Sequence, residues 1–146
     1  MGVKITSADK WFSKCVRERA EWRCEGCKNE YPENSAGLQC SHFHGRGNYA
    51  VRFDPNNAFA HCTRCHYFFE GNPHEFTRWV RERLGEGAYD ILVEKKQVVD
   101  NARFARRDVK QKHKSDISKH YRHEYRRMQA LRKDGEAGRI EFVGYF

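Results

Sequence analysis

Two Cys-x-x-Cys pairs, Cys24-Glu25-Gly26-Cys27 and Cys62-Thr63-Arg64-Cys65, constrain this chain more than any other feature of it. Two residues between the cysteines let a single turn aim two sulfurs at one point. Two such turns supply four thiolates, the complement of a closed tetrahedral zinc site. The spacing therefore predicts structural Zn2+ on Cys24, Cys27, Cys62 and Cys65, with Gly26 permitting the tight turn of the first knuckle. Paired redox motifs would sit in a βαβ pattern of the thioredoxin kind, and none surrounds either pair. Three disulfides are the other way to use six cysteines, but no export signal accompanies them. Cys15 reads as a core residue. Cys40 reads as a small buried strand residue, with a fifth sulfur exchanging at the zinc as the alternative.

A staple is what a chain of this make-up needs. Its 146 residues are 38% hydrophobic and 33% charged, so one domain with a modest core is expected, and zinc binding contributes folding free energy that such a core lacks. The net charge of +8, with eight further histidines, favours a polyanionic partner such as nucleic acid. No apolar run approaches the ~20 residues that span a bilayer, and the N-terminus lacks a secretory h-region. Met1-Gly2 with Thr6 formally matches a myristoylation signal, but nothing else points to a membrane. The expected setting is a reducing cytoplasm. No internal repeat or low-complexity segment is visible.

Periodicity places the motifs. Residues 8–21 show helical spacing with Trp11, Phe12, Cys15 and Val16 on one side, Lys10, Lys14, Arg17 and Arg19 elsewhere, and Ser7 as N-cap, running straight into the first knuckle. Residues 29–37 are turn-forming. Residues 38–43 alternate as a short strand, Gly45-Arg46-Gly47-Asn48 breaks it, Asp54-Pro55-Asn56-Asn57 turns, and Ala58-Phe59-Ala60-His61 is a second strand. A helix follows over 64–70. Asn72-Pro73-His74-Glu75 starts another, capped by Asn72 and Glu75, with Phe76, Trp79, Val80 and Leu84 inward and Gly85 at its end. A further helix covers 88–98 with Ile91 and Leu92 inward. From Arg103 to Lys133 there are twelve Lys or Arg against three acidic residues. There Ile117, Tyr121, Tyr125, Met128 and Leu131 form one narrow apolar stripe. Gly138 to Phe146 is a strand or a docked tail. These elements divide the chain into a zinc-bound core, 1–98, and a basic helical C-terminal extension, 99–146.

Between and beside the knuckles lie His42 at a strand end, Asn57 in a loop, and His66 directly after the second knuckle. Hydrolysing a phosphodiester requires a divalent ion to polarise the phosphate and a base of near-neutral pKa to take a proton from water. Histidine suits the second task. An asparagine can hold the histidine's loop through backbone hydrogen bonds, and the helix position after Cys65 can project a ligand at the ion. His, Asn and His in this order, wrapped by two Cys-x-x-Cys pairs, are the HNH arrangement. It predicts an α+β fold class: a mostly helical small domain around a zinc-stapled ββα-metal finger, with a long basic C-terminal helix. Residues 42 and 66 would then flank one phosphate-sized gap.

A longer set of residues carries a family resemblance. Ala8-Asp9-Lys10-Trp11-Phe12-Ser13, Arg17-x-Arg19 and the first Cys-x-x-Cys resemble the opening of the NinG (Rap) family of phage recombination endonucleases. So do Cys40-Ser41-His42-Phe43, Asn48-Tyr49-Ala50-x-Arg52-Phe53-Asp54-x-x-Asn57, the second Cys-x-x-Cys, and Glu70-Gly71-Asn72 with the helix to Leu84-Gly85. The resemblance covers roughly residues 7–98. It implies a metal-dependent DNA endonuclease acting on branched recombination intermediates, with Mg2+ or Mn2+ as the working ion, in the bacterial host cytoplasm if phage-encoded. It also implies His42 as general base, Asn57 as loop-positioning residue and His66 at the helix metal position. Two positions depart from the pattern. No carboxylate stands at Gln39, Cys40 or Ser41, where related enzymes carry an acidic ligand, and position 66 is histidine where similar chains often have asparagine. His44 and His74 are the candidates for a further ligand; otherwise His74 is a first-turn surface residue and His44 a phosphate-contacting loop residue.

Arg46, Arg52 and Arg64 flank the expected site and are candidate phosphate clamps. One face of the basic helix could track a DNA backbone, while its apolar stripe could form a homodimer or pack on the core. The rival reading is a non-catalytic zinc-containing nucleic-acid-binding module. A third is a structural or regulatory partner protein that uses the tyrosine-rich stripe.

Overall fold

A computed structural model of the chain describes the backbone of residues 3–100 and 103–145 and the side chains of 3–97 and 113–145. The Met-Gly start, Phe146 and the basic side chains before position 113 of the C-terminal helix lie outside the described residues. The elements run α1 (Ser7–Arg19), β1 (Leu38–His42), a 3-10 turn (Pro55–Asn57), β2 (Ala58–Cys62), α2 (Thr63–Gly71), α3 (Pro73–Leu84), α4 (Glu86–Asp100) and α5 (Arg103–Lys133). The described residues form a small α+β domain of five α-helices and one two-stranded antiparallel sheet. No helix among the described residues is long and apolar enough to cross a membrane.

Helix α1 starts one residue earlier than its composition suggests. Thr6, not Ser7, is the N-cap, and its side chain and backbone exchange hydrogen bonds with Asp9 in a capping box. The helix does not run straight into the first knuckle. It stops at Arg19, and Glu21 and Trp22 both take left-handed φ values, 56° and 57°. That geometry is costly for non-glycine residues. Burial of the Trp22 ring, its indole bond to Glu18 and a bond from its N–H to the Arg17 carbonyl offset it.

β1 and β2 pair from Leu38 opposite Cys62 to His42 opposite Ala58. Helix α1 lies over one face of this hairpin. Phe12 packs edge-on against Phe53 and Tyr121, so α1 joins the hairpin loop to α5. The apolar stripe of α5 is consumed there: Ile117, Tyr121, Tyr125 and Met128 are buried with Ala8, Phe12, Cys15 and Val16 in one cluster. Of the two uses open to the stripe, packing on the core is the one seen, and it joins α5 to residues from the 1–98 segment. The chain after α5 forms a docked tail without strand pairing. Ile140 and Phe142 are buried in it, and the Ile140 N–H donates to the Arg19 carbonyl.

On the other face Phe59, Phe69, Phe76 and Val80 form a second cluster with Trp79 and Leu84 at its edge, which seats α2 and α3. Asn72 gives α3 no side-chain cap; its Nδ2 instead donates to the Phe68 carbonyl and closes the end of α2. Gly85, at φ 83°, ends α3. In α4, Leu92 is buried but Ile91 is 55% exposed. Neighbouring helical residues point about 100° apart, so a narrow contact face takes only one of them.

Candidate metal centre and hairpin site

The fold gathers Cys24, Cys27, Cys62 and Cys65 so that all four Sγ atoms lie within 4.8 Å of one another. Cys27 and Cys62 are 3.8 Å apart, about the edge of a tetrahedron with Zn–S bonds of ~2.3 Å. Backbone amides support the sulfurs. The Cys27 and Cys62 N–H groups donate to Cys24 Sγ at 3.5 and 3.2 Å, and the Cys65 N–H to Cys62 Sγ at 3.5 Å. Burial opposes ionisation of Cys24, Cys62 and Cys65; the Cys65 amide and the Tyr31 hydroxyl bring Cys62 down to about 6, while Cys24 and Cys65 stay raised. Four sulfurs at these mutual distances fit a structural zinc ion.

Gly26 has a different task from the one its turn suggests. The left-handed residue of the knuckle is Lys28, φ 69°. A Cβ on Gly26 would stand 3.1 Å from Cys65 Sγ, so the glycine is needed for close approach of the second knuckle. Glu25, buried between them, fastens the first knuckle to the outer edge of β2. Its N–H donates to the Ala60 carbonyl at 2.7 Å, and its carboxylate accepts from the Ala60 N–H at 2.8 Å. The same carboxylate meets Arg83 at 3.0 Å and Arg139 at 3.1 Å. Burial works against its charge, but Arg19, the Ala60 amide, Arg139 and Arg83 hold it below the usual carboxylate range.

His42 ends β1 on the α1 side, where its ring stacks on Phe12 at 5.9 Å. Nε2 lies 3.1 Å from the Arg52 carbonyl oxygen. A carbonyl only accepts, so Nε2 carries the proton and Nδ1 keeps the lone pair. Burial pushes the imidazole down to about 4, against the raising effect of that bond and with Arg46 among the lowering charges. The ring is neutral at pH 7.

Asn57 is fully buried and holds the loop after β1 at two places. Its Oδ1 accepts from the His44 N–H at 2.8 Å. Its Nδ2 donates to the carbonyls of His44 and Val51 at 2.9 and 3.0 Å.

Successive strand residues face opposite ways, so Ser41 points to α2 while His42 points to α1. His66, on α2, has Nδ1 3.3 Å from Ser41 Oγ and Nε2 4.0 Å from Glu70 Oε2. Among the described residues no hydrogen bond or ring contact joins His42 to His66. His42 thus lies on the α1 side of β1 and His66 on the α2 side.

The remaining candidates scatter. The His44 backbone is gripped by Asn57, and its ring packs on Phe43 at 4.6 Å. His74 is exposed on α3 and lines, with Thr77, Arg78, Arg81, Glu82 and Glu86, a surface cleft of about 430 Å3. Arg52 is inside the fold, 1% exposed, with Nε 2.9 Å and Nη2 2.5 Å from the Asp9 carboxylate. It is a framework ion pair, not a surface clamp, and what it offers the site is its backbone carbonyl. Burial opposes the Asp9 charge, and the Arg52 guanidinium with the Thr6 amide holds that carboxyl below its ordinary value. Arg46 is half-buried in the loop and Arg64 exposed on the first turn of α2.

Sequence reasoning passed over several residues here. Glu70 follows His66 by one helical turn, a spacing visible in the predicted helix. Ser41, Tyr31 and Glu25 leave no local signal, because their partners are set by tertiary structure. His61 is buried among Phe59, Phe69, Phe76 and Trp79, and neither ring nitrogen has a hydrogen-bond partner.

Together these define a small α+β domain in which a four-cysteine cluster ties a loop knuckle to a hairpin-helix corner. Comparison with family models, with curated proteins and with solved structures finds no match.

Proposed function

We propose that this chain is a metal-dependent DNA endonuclease of the HNH (ββα-metal) type, similar to the NinG recombination endonucleases, with His42 as general base. The observation that carries this reading is the tethered imidazole: Nε2 bonded to the Arg52 carbonyl, Nδ1 left basic, and the ring neutral at pH 7. A general base needs the fixed tautomer and free lone pair that this bond supplies, while burial makes the ring a weaker base than the near-neutral one the sequence predicts. Asn57 supports it by fixing the loop that leaves His42, so the base and the phosphate it addresses hold their mutual geometry.

On this reading a catalytic Mg2+ or Mn2+ would be held by His66 and Glu70, whose donor atoms lie 4.0 Å apart. Magnesium keeps several waters and borrows phosphate oxygens, so few protein donors suffice. When bound, the ion supplies Lewis-acid polarisation of the phosphate and stabilises the leaving oxygen. The protein's own steps are three. Arg46 and Arg64 hold phosphate oxygens, His42 Nδ1 takes a proton from the attacking water, and Asn57 keeps the loop in place. The cysteine cluster organises this corner and does no chemistry.

Purified zinc-loaded protein, incubated with a four-way junction and with linear duplex in magnesium or manganese, should cut DNA. His42→Ala should lower the rate by about 100-fold or more while zinc content and folding persist. A wild type that binds DNA but never cuts supports the non-catalytic binding module instead.

A further inference from the structure

The outward face of α5 separates its charges in a way its composition does not reveal. Arg127 and Arg132, on the flanks of the buried stripe, are paired: Arg127 with Glu124 at 3.0 Å, and Arg132 with the Glu18 carboxylate at 3.9 Å and its carbonyl at 2.9 Å. Lys119, Arg122, Arg126 and Lys133 are different. They recur at helical intervals on the side opposite the stripe, all four are exposed, and none has a carboxylate within ion-pair distance among the described residues. Asp116 is the exposed acid on the helix flank before them. From Lys119 to Lys133 the row spans about 21 Å at ~1.5 Å per residue, the axial length of about six base pairs.

We infer that this row is a docking surface for the sugar-phosphate backbone of duplex DNA, distinct from the hairpin site. The inference rests on the nucleic-acid part of the proposed function and not on cleavage. Four such cations in register along a rigid helix match a line of phosphates, and releasing counterions from that line drives binding. A lipid surface fits less well. A basic helix lying on a membrane buries an apolar face there, and the apolar face of α5 is spent on α1. Single strands fit less well too, because among the described residues α5 exposes no Phe, Tyr or Trp beside the row on which bases could stack. The stripe, not the row, faces α1 and through Phe12 the His42 ring. DNA on the row and a phosphate at the hairpin are therefore met on different sides of the protein. Duplex DNA is stiff over such lengths, so a branched molecule with two arms suits both surfaces at once.

The test uses full-length zinc-loaded protein without added magnesium or manganese, so that binding is read without cutting. Duplex DNA affinity is measured by fluorescence anisotropy across a series of potassium chloride concentrations, for wild type and for Lys119→Gln/Arg122→Gln/Arg126→Gln/Lys133→Gln. The expected result is an affinity at least roughly tenfold weaker at low salt and a log-log salt slope shallower by about 0.9 for each phosphate no longer neutralised. Arg122→Gln/Arg126→Gln should give about half that change in slope and serves if the fourfold variant melts early. An unchanged slope in either folded variant overturns the inference. So does a fourfold variant that keeps its DNA affinity while losing binding to phosphatidylserine vesicles. The nuclease reading fails separately: His42→Ala should retain the wild-type slope, and the fourfold variant should still cut at saturating DNA.

Discussion

At the scale of single residues, the proposed cleavage turns on which nitrogen of His42 is free. Because burial lowers its pKa to about 4, the basic form persists as pH falls, where an ordinary histidine would protonate near 6.5. The cutting rate at constant metal should therefore stay level from about pH 7 to about pH 5, with zinc content checked at each point. A rate that falls tenfold per unit below 6.5 would contradict the buried placement. Asp9 makes a second case. Asp9→Asn leaves the Arg52 guanidinium buried without its charge partner, and urea unfolding should show a loss of about 3–5 kcal/mol. Were Arg52 a surface clamp, the same change would be nearly neutral. Arg19, Glu25 and Arg52 were illegible in the sequence for one reason. A charged residue reads as surface unless its partner is known, and these partners lie at Pro55 and Ala58, at Ala60 and Arg83, and at Asp9.

At the scale of elements, the knuckles and the hairpin form one unit. Glu25 bonds to Ala60 across the strand edge, and Cys62 both ends β2 and caps α2 through its sulfur. Gly26→Ala would push a methyl against Cys65 Sγ. Chelator competition should then show zinc bound roughly tenfold or more weakly, whereas unaltered affinity would mean the knuckles tolerate separation. Most elements could be read from the chain because each has its own period and punctuation: the alternation at 38–42, the turn at Asp54-Pro55, and Pro73 opening α3. The exit from α1 could not. Two non-glycine residues in left-handed backbone are tolerated because the Trp22 ring is buried in the core cluster, and that burial leaves no local mark.

At the scale of the whole molecule, α5 completes the core. Tyr121 alone donates to the Phe53 carbonyl and accepts from the Tyr145 amide while packing on Phe12. A fragment ending at residue 98 exposes Phe12, Val16 and Phe53, and burying each such side chain is worth about 1.5–3 kcal/mol. That fragment should lack a cooperative thermal transition even with zinc. A sharp two-state transition would show that residues 1–98 are a domain by themselves. The apolar stripe of α5 was visible in its three-and-four spacing, but a stripe does not name its partner. Charge count likewise predicted a basic helix, and only packing separates its paired arginines from the exposed row.

The most direct trial of the central claim is single-turnover cutting of a four-way junction by zinc-loaded His42→Ala in manganese, with and without added imidazole. A base that acts through Nδ1 predicts a severe loss of rate, partly restored by imidazole filling the vacated space beside Phe12. A variant that cuts as fast as wild type, or a wild type that leaves the junction intact, would contradict it.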